Sequence, residues 1–456
     1  MSKYILAIDV SSSACKAYLV DKNKEVFKST SFPITTISPD IGLVEHDADE
    51  IWEQALRSIK VLIKECSIDE IAAIAISNQR ETVMAWDENG RSLFNAISWQ
   101  DQRTNAFFEQ YKEHEDLVRE KTGLVFNPYF SVSKIKWLLD CLNSTNLRIG
   151  TVDSWLIYKL TGNYYTDVSN ASRTMLFDIA KLEWSDELLA LFEIPKHILP
   201  EVKASADAYG YWEYEGKKIP VCAVLGDQQA ALYALGNKEG VVNCTYGTGA
   251  FLLLNTSNRI IKLPNTITSV AWKHANKVTY ILEAASFNCG NVLSKLHSEK
   301  AFEYLINNEE YLDAFYLPTQ NKRLFIFGGE VKNELSYNVP KEGEPLLKAL
   351  CNGIALSINE LLQSFMKEIE IKELWVNGKI SELNYLNSIQ ASLSKLKTFK
   401  SVISNQSAMG VAYLAGVYMG WWKEGEWNKE ANAVFEPKEL KVKIFEKWRE
   451  IFYNKC

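Results

Sequence analysis

Tyr4-Ile-Leu-Ala-Ile-Asp-Val10 is a nearly unbroken apolar run that meets Ser11-Ser12-Ser13 and resumes as Ala17-Tyr-Leu-Val20. A strand, a small-residue turn and a second strand account for this pattern, with Asp9 carried at the mouth of the turn. The arrangement returns near the middle of the chain, where Val241-Val-Asn-Cys244 runs into Thr245-Tyr-Gly-Thr-Gly249 and Phe251-Leu-Leu-Leu254 leaves it. Two such hairpins, each opening one half of the chain, predict two related domains facing each other. The echo is one of pattern, with no residue-level repeat.

Working outward, the apolar spacing of Ile51, Trp52, Ala55, Leu56, Ile59 and Leu62 predicts a helix over Asp49–Lys64, with Asp49 suited to its N-cap. Ile71–Ile76 reads as a buried strand, Ser131–Cys141 as a helix, and Val221–Leu225 as a buried strand that ends at Gly226-Asp227 and passes into a small-residue helix, Gln228–Leu235. In the second half, Pro345–Met366 is the longest helical pattern, Leu374–Asn377 a strand and Ala408–Trp421 an Ala/Gly-rich helix. Strands alternating with helices argue for an α/β fold. The predicted division is an N-terminal domain over 1–226 and a C-terminal domain over 227–456, with the boundary near Asp227.

Composition bounds the function. The 456 residues are 47% hydrophobic and 23% charged, enough for two cores at roughly 100 to 200 residues per domain. Disorder, collagen-like repeats and a small disulfide scaffold are excluded. Fifty Lys plus Arg against 57 Asp plus Glu give a net charge of -7, so no bulk attraction to nucleic acid or anionic membrane is expected. Cysteines 15, 66, 141, 222, 244, 289, 351 and 456 stand singly, without zinc spacing, and read as reduced, buried thiols of a cytoplasmic protein. Histidines 46, 114, 197, 274 and 297 show neither pairing nor metal spacing. The amino terminus meets a charge too soon for a signal peptide, and no apolar run approaches the roughly 18 residues of a membrane span.

No G-x-x-x-x-G-K-[ST] occurs, and neither Gly-rich stretch fits G-x-G-x-x-G after a strand. What remains is the pair of turns at 9–13 and 245–249. Each is either a plain hairpin turn or a cradle whose N–H groups and hydroxyls face a phosphate, with Asp9 available to a hydrated Mg²⁺. Arg80 and Glu81 follow a buried strand. They are either an exposed ion pair or, if the chain turns there so that neighbours stop alternating, a donor and an acceptor for a hydroxyl-rich ligand. Asp227, at a strand end, could take a proton from an attacking hydroxyl or cap the helix that follows it.

Ser77-Asn-Gln-Arg-Glu-Thr82, Ala96-Ile-Ser-Trp-Gln-Asp101, Asn127-Pro-Tyr-Phe-Ser131, Gly150-Thr-Val-Asp-Ser-Trp-Leu-Ile157, Asn170-Ala-Ser-Arg-Thr-Met-Leu-Phe177, Gly226-Asp-Gln-Gln-Ala-Ala-Leu232 and Asn243-Cys-Thr-Tyr-Gly-Thr-Gly249 together resemble the FGGY family of carbohydrate kinases, and within it the glycerol kinases. Tyr129-Phe-Ser-Val-Ser-Lys-Ile-Lys-Trp-Leu-Leu-Asp140 fits most of a family signature. The resemblance implies two actin-like, ribonuclease-H-like ATPase domains flanking a central cleft, the first binding the polyol and the second the nucleotide. It implies ATP and Mg²⁺ as cofactors, glycerol as substrate, and phosphoryl transfer to a terminal hydroxyl. Carried over position by position, the polyol contacts are Arg80, Glu81, Trp99, Tyr129, Asp227, Gln228 and Phe251, with Asp227 as base and Asp9 as the Mg²⁺-linked carboxylate. Ser12, Ser13, Lys16, Gly247, Thr248, Gly290 and Gly378 fall on the nucleotide side. Homo-oligomers are common in the family, and no segment here selects a dimer or a tetramer.

The departures gather on the nucleotide side. Ser11-Ser12-Ser13 stands where the family has Gly-Thr-Thr, and Lys16 replaces an Arg. A side chain at Ser11 is expected to crowd a backbone approach that Gly permits. Asn377-Gly378-Lys379 with Leu383 replaces an Asp-Gly-Gly loop followed by Asn, and Ser294 replaces a Gln. A Thr-Gly-Leu-Gly-Ala-Pro-Tyr-Trp stretch is absent where Leu317-Pro-Thr-Gln320 leads into Asn321–Gly329. Only Glu215-Gly-Lys-Lys218 remains of the loop that takes fructose bisphosphate in some relatives, so that control is not expected. These changes keep open a glycerol-binding homologue without turnover, serving as a sensor or regulatory subunit, and a kinase with another donor or polyol.

Overall fold

Tyr4–Val10 (β1) and Ala14–Asp21 (β2) form the expected hairpin, paired from Tyr4 opposite Asp21 to Val10 opposite Cys15. The computed structural model describes residues 2–286, 289–294, 305, 310–318, 334–403, 405–426 and 429–455. The chain forms two units: Met1–Asn237 with Ser269–Tyr280 and Asn405–Trp427, and Lys238–Thr268 with Ile281–Ser404 and Asn428–Cys456.

In the first unit β1 and β2 are joined by Val26–Pro33 (β3), Ile71–Asn78 (β4), Ala206–Tyr214 (β5) and Lys217–Gly226 (β6), in the order β5-β6-β4-β1-β2-β3, with Ile267–His274 beside β5. β1, β4 and β6 are parallel neighbours. They read as unbroken apolar runs because helices cover both faces. Ala48–Ile63 (α1) buries Ile51, Ala55, Ile59 and Leu62 at helical spacing against β1 and β2. Its cap is Asp47, which accepts from the backbone N–H groups of Asp49 and Glu50; the expected cap, Asp49, lies in the first turn and accepts from the Ser92 hydroxyl at 2.9 Å.

The register decides what the sheet presents. Asp9 pairs with Ser77 and Val10 with Asn78, while Leu225 pairs with Ser77 and Gly226 with Asn78. The carboxyl ends of three parallel strands therefore lie level, and the residues that follow emerge side by side, where α/β sheets collect ligands. Val132–Leu142 (α2), Val152–Thr161 (α3) and Val168–Ala171 (α4) come from the insertion between β4 and β5, and Asp227–Tyr233 (α5) follows β6 directly. A small antiparallel sheet, in the order Glu45–His46, Ala96–Ile97, Val83–Trp86, Arg148–Thr151, joins three strands of the same insertion to the strand just before α1.

The second unit repeats the opening device. Val241–Tyr246 (β7) and Ala250–Asn255 (β8) pair as a hairpin with Tyr246 opposite Ala250, and β7 runs parallel to Glu373–Asn377 (β9), as β1 does to β4. Thr398–Ser401 (β10) and Ala431–Phe435 (β11) complete the order β11-β10-β9-β7-β8, with Ile281–Ser286 on the far side of β8. Gly343–Phe365 (α6) and Asn384–Ser394 (α7) pack together and supply much of the core, including Leu350, Ile354, Leu361, Tyr385 and Ile389. The expected departure over Asn321–Gly329 lies outside the described residues. No helix among those described is long and apolar enough to cross a membrane.

The partition into units differs from a cut at 226/227. The Ala/Gly-rich helix Gln406–Tyr418 belongs to the first unit and packs on α5 as well as on β1, β4 and β6. At the crossing, Gly410 faces the Ala230 carbonyl so closely that a Cβ there would overlap it. An exposed helical Gly→Ala change stabilises by about 1 kcal/mol. Here the sign should reverse, with Gly410→Ala lowering the denaturant midpoint by an amount equivalent to about 1–3 kcal/mol. An unchanged or raised midpoint would mean that the two helices are not in contact at this point.

Candidate active site

Arg80 and Glu81 can serve one ligand only if the chain turns between them, and it does. Glu81 sits at φ 64°, a left-handed backbone uncommon for a residue with a side chain. Both side chains are buried, at 3% and 1% exposure, so the exposed ion pair is not what forms. Arg80 Nη1 donates to Gln229 Oε1 at 3.2 Å, while its Nε lies 3.8 Å from Glu81 Oε1 and 3.6 Å from Asp227 Oδ1. Glu81 Oε1 also accepts from Arg173 Nε at 2.5 Å, and the Ser131 hydroxyl donates to the Glu81 carbonyl at 3.1 Å. Thr82 links the turn outward, donating to Gln79 Oε1 at 3.1 Å and accepting the Trp99 backbone N–H at 3.3 Å.

Asp227 is the first residue of α5 rather than its cap. Gly226 occupies the cap position, and the Asp227 carboxylate takes only the adjacent Gln228 N–H, at 2.7 Å. Desolvation pushes its pKa up to about 7; Arg80 opposes the shift, while Asp9 and Glu81 add to it. Its side chain keeps 27% exposure, so a hydroxyl can reach it. Such a carboxylate is a proton acceptor matched to neutral pH. Asp9 lies near the end of β1, in register through Ser77 with Leu225, two residues before Asp227; it accepts from the Ser77 hydroxyl at 2.9 Å and stands opposite Lys16 across the hairpin. Burial raises the Asp9 pKa, and Ser77 and Lys16 hold it back.

Trp99 and Tyr129 stand with ring centroids 5.3 Å apart, giving an apolar wall close to these charges. Tyr129 is set by an Asx turn, its N–H donating to Asn127 Oδ1 at 2.9 Å. Gln228 Oε1 is buried without a hydrogen-bond partner, an acceptor left for a donor such as a ligand hydroxyl. The first unit thus brings together Arg80, Glu81, Trp99, Tyr129, Asp227 and Gln228. Phe251 belongs to the second unit, on β8 opposite Thr245.

On the nucleotide side, the Ser11 hydroxyl is engaged within its own turn. It donates to the Ala14 carbonyl at 3.0 Å and accepts the Ala14 N–H at 3.2 Å, folding back to close its own turn. Ser12 is half-buried and Ser13 exposed at the tip. In the second unit three of the expected glycines converge. Gly290 N–H donates to Gly247 O at 2.9 Å, and a Cβ on Gly290 would come 2.6 Å from that oxygen. Gly378, at φ 87°, lies against the Tyr246 backbone with no room for a Cβ. Thr248 is exposed on the same turn. The Thr245 hydroxyl and Asn243 Nδ2 are buried without partners, as a surface built for a polar ligand leaves them. Lys379 is exposed, whereas Leu383 is fully buried and part of the core. Among the described residues no group of three or more His, Cys, Asp or Glu could hold a metal.

Residues with no role assigned from the sequence organise this site: Arg173 and Ser131 holding Glu81, Gln229 behind Arg80, and Lys134 beneath Tyr129. The available signal was a charged residue inside an otherwise apolar stripe, as at Lys134 beside Ile135 and Leu138 on α2. The expectation of buried thiols holds for Cys15, Cys222, Cys244, Cys289 and Cys351, but Cys66 is half-buried and Cys141 exposed, and Cys456 lies outside the described residues.

Residues 4–234 match the family model for the N-terminal domain of the FGGY family of carbohydrate kinases. Glycerol kinases of Thermococcus onnurineus and Thermococcus kodakarensis are 37% and 36% identical to this chain, each across 99% of it and across 97% and 96% of their own lengths. The crystal structure of Plasmodium falciparum glycerol kinase with ADP matches with a TM-score of 0.91 at 28% identity, covering 99% of this chain and 98% of that one. A gluconate kinase from Lactobacillus acidophilus, at 18% identity and a TM-score of 0.86, shares the fold, which is the α/β architecture of two actin-like ATPase domains. Likeness over nearly the whole length, with the charged turn and the strand-end carboxylates in place, means that the chain belongs to the FGGY family of carbohydrate kinases.

Proposed function

We propose that this protein is a glycerol kinase that transfers the γ-phosphoryl group of ATP to a terminal hydroxyl of glycerol, giving glycerol 3-phosphate. The observation that carries the reading is the Asp227 carboxylate, pushed up to about 7 and set 3.6 Å from Arg80 Nε beside a buried, turned Glu81. Glycerol hydroxyls both donate and accept, so an Arg fork and two carboxylates suit them, while Trp99 and Tyr129 suit the carbon chain. Asp227 would accept the proton of the attacking hydroxyl as the oxygen bonds to phosphorus and ADP leaves. Ser12, Ser13 and Lys16 on the first hairpin, and Gly247, Thr248, Gly290 and Gly378 in the second unit, would face the nucleotide. A bound Mg²⁺ would neutralise phosphate charge, and Asp9 is the group that would meet it.

A sensor without turnover loses much of its motive. The Ser11 hydroxyl is bonded within its own turn, and Leu383 is part of the core. Glycerol and ATP as the small-molecule partners, and residence in the cytoplasm, belong to the same proposal.

Replacing Asp227 with Asn should lower kcat by about 10²–10⁴-fold while leaving glycerol affinity nearly unchanged; survival of most activity would remove Asp227 from the base role. In the pH profile of kcat/KM, a base must be ionised, so activity should fall with unit slope as the pH drops below about 7. An acidic limb near pH 4 would contradict the desolvated carboxylate. Gly378→Ala, which sets a methyl against the Tyr246 backbone, should raise the KM for ATP about tenfold or more and leave that for glycerol within about twofold. Equal changes in both would place Gly378 outside the nucleotide surface.

A further inference from the structure

Lys134 is fully buried, a rare state for lysine. Its Nζ donates to three consecutive backbone carbonyls, Pro128 at 2.6 Å, Tyr129 at 3.0 Å and Phe130 at 2.9 Å. An ammonium has three hydrogens to give, and all three go to the turn that carries Tyr129. The geometry follows from the helix: Lys134 is the third residue of α2, and helical side chains lean toward the amino terminus, so it reaches back over the turn that enters the helix.

The start of α2 breaks two local rules at once. A helix amino terminus favours carboxylates, yet its first turn contains no acidic residue and holds this lysine. Ser131 is a residue type suited to capping, yet it makes no cap bond and gives its hydroxyl to the Glu81 carbonyl instead. Breaches of local preference that a fold retains mark residues held for something else. Here both residues act on the same object. Lys134 gathers the carbonyls of residues 128–130, and Ser131 ties the end of that turn to the left-handed Glu81. From the other side, the Arg173 guanidinium that holds Glu81 lies over the rings of Phe130 at 5.2 Å and Tyr129 at 5.9 Å. Burial pushes the Lys134 pKa down to about 7, opposed by the nearby Glu81 and Asp101 carboxylates.

We propose that Lys134 is a positioning residue for the polyol, a clamp on the 128–130 carbonyls that fixes Tyr129 relative to Trp99 and Glu81 and so sets affinity for the hydroxylated substrate. The inference rests on the reading of Tyr129 as a polyol contact, and the experiment separates the two. Steady-state kinetics are measured on the full chain as wild type, Lys134→Met, Tyr129→Ala and the double variant, with glycerol and ATP varied separately. Lys134→Met should raise the glycerol KM about tenfold or more, keep the ATP KM within about twofold, and add nothing further once Tyr129 is Ala. An equal rise in both KM values, no rise in the glycerol KM, or the same factor in the Tyr129→Ala background would overturn the clamp. If Tyr129→Ala alone leaves the glycerol KM unchanged, the polyol reading of Tyr129 fails and takes the clamp with it. Should Lys134→Met not fold, Ser131→Ala replaces it in the same cycle: a glycerol-specific effect that vanishes in the Tyr129→Ala background sustains the account, and an additive or absent effect overturns it.

Discussion

Arg173 Nε meets Glu81 Oε1 at 2.5 Å with both groups out of water, and the left-handed backbone at Glu81 is held between this contact and the Ser131 hydroxyl on its carbonyl. Such a conformation costs of order 1–3 kcal/mol and persists only where its surroundings over-determine it. Without it, Arg80 and Glu81 would project to opposite sides of an extended chain and could not share a ligand. With it, the guanidinium of Arg80 stands between two carboxylates, and the Asp227 side chain accepts only the adjacent Gln228 N–H, at 2.7 Å. Burial raises the pKa of the proposed base, and the turn sets the charges that adjust it, Arg80 opposing the rise and Glu81 adding to it.

Buried charge here serves geometry more than stability. Arg80, Glu81, Arg173 and Lys134 all lie below the surface. A buried ion pair contributes little net stability against a well-packed apolar replacement, but losing one partner typically costs about 3–5 kcal/mol. That asymmetry makes the cluster rigid, as a site that must orient a small flexible triol requires. The sheet supplies the other half of the constraint, since the β1, β4 and β6 register brings the end of β1 that carries Asp9, the start of the Arg80 turn and the start of α5 to one edge of the sheet.

Much of this was legible in the sequence, and the limits were physical. Continuous apolar runs at 4–10, 71–76 and 221–225 announced parallel strands covered on both faces, and the small-residue turns marked both hairpins. The cap of α1 was misplaced by two residues because Asp47 and Asp49 are both good caps, and only the backbone at Asp47 decides between them. The return of Gln406–Tyr418 to the first unit is a long-range packing event, hinted at only by its Ala/Gly composition. On the site, residue types pointed to Arg80, Glu81 and Asp227, but the supports at Arg173, Ser131 and Lys134 act through backbone carbonyls and across distant segments, which spacing along the chain does not encode. Of the departures on the nucleotide side, the Ser11 hydroxyl closes its own turn and Leu383 is buried in the core, placements that residue type alone does not convey.

The most direct test is a coupled assay of glycerol phosphorylation by the unaltered protein, at saturating glycerol with MgATP varied into the millimolar range and other nucleoside triphosphates alongside. The account predicts saturable, ATP-dependent formation of glycerol 3-phosphate. Protein that binds glycerol yet yields no glycerol 3-phosphate with any donor would contradict it.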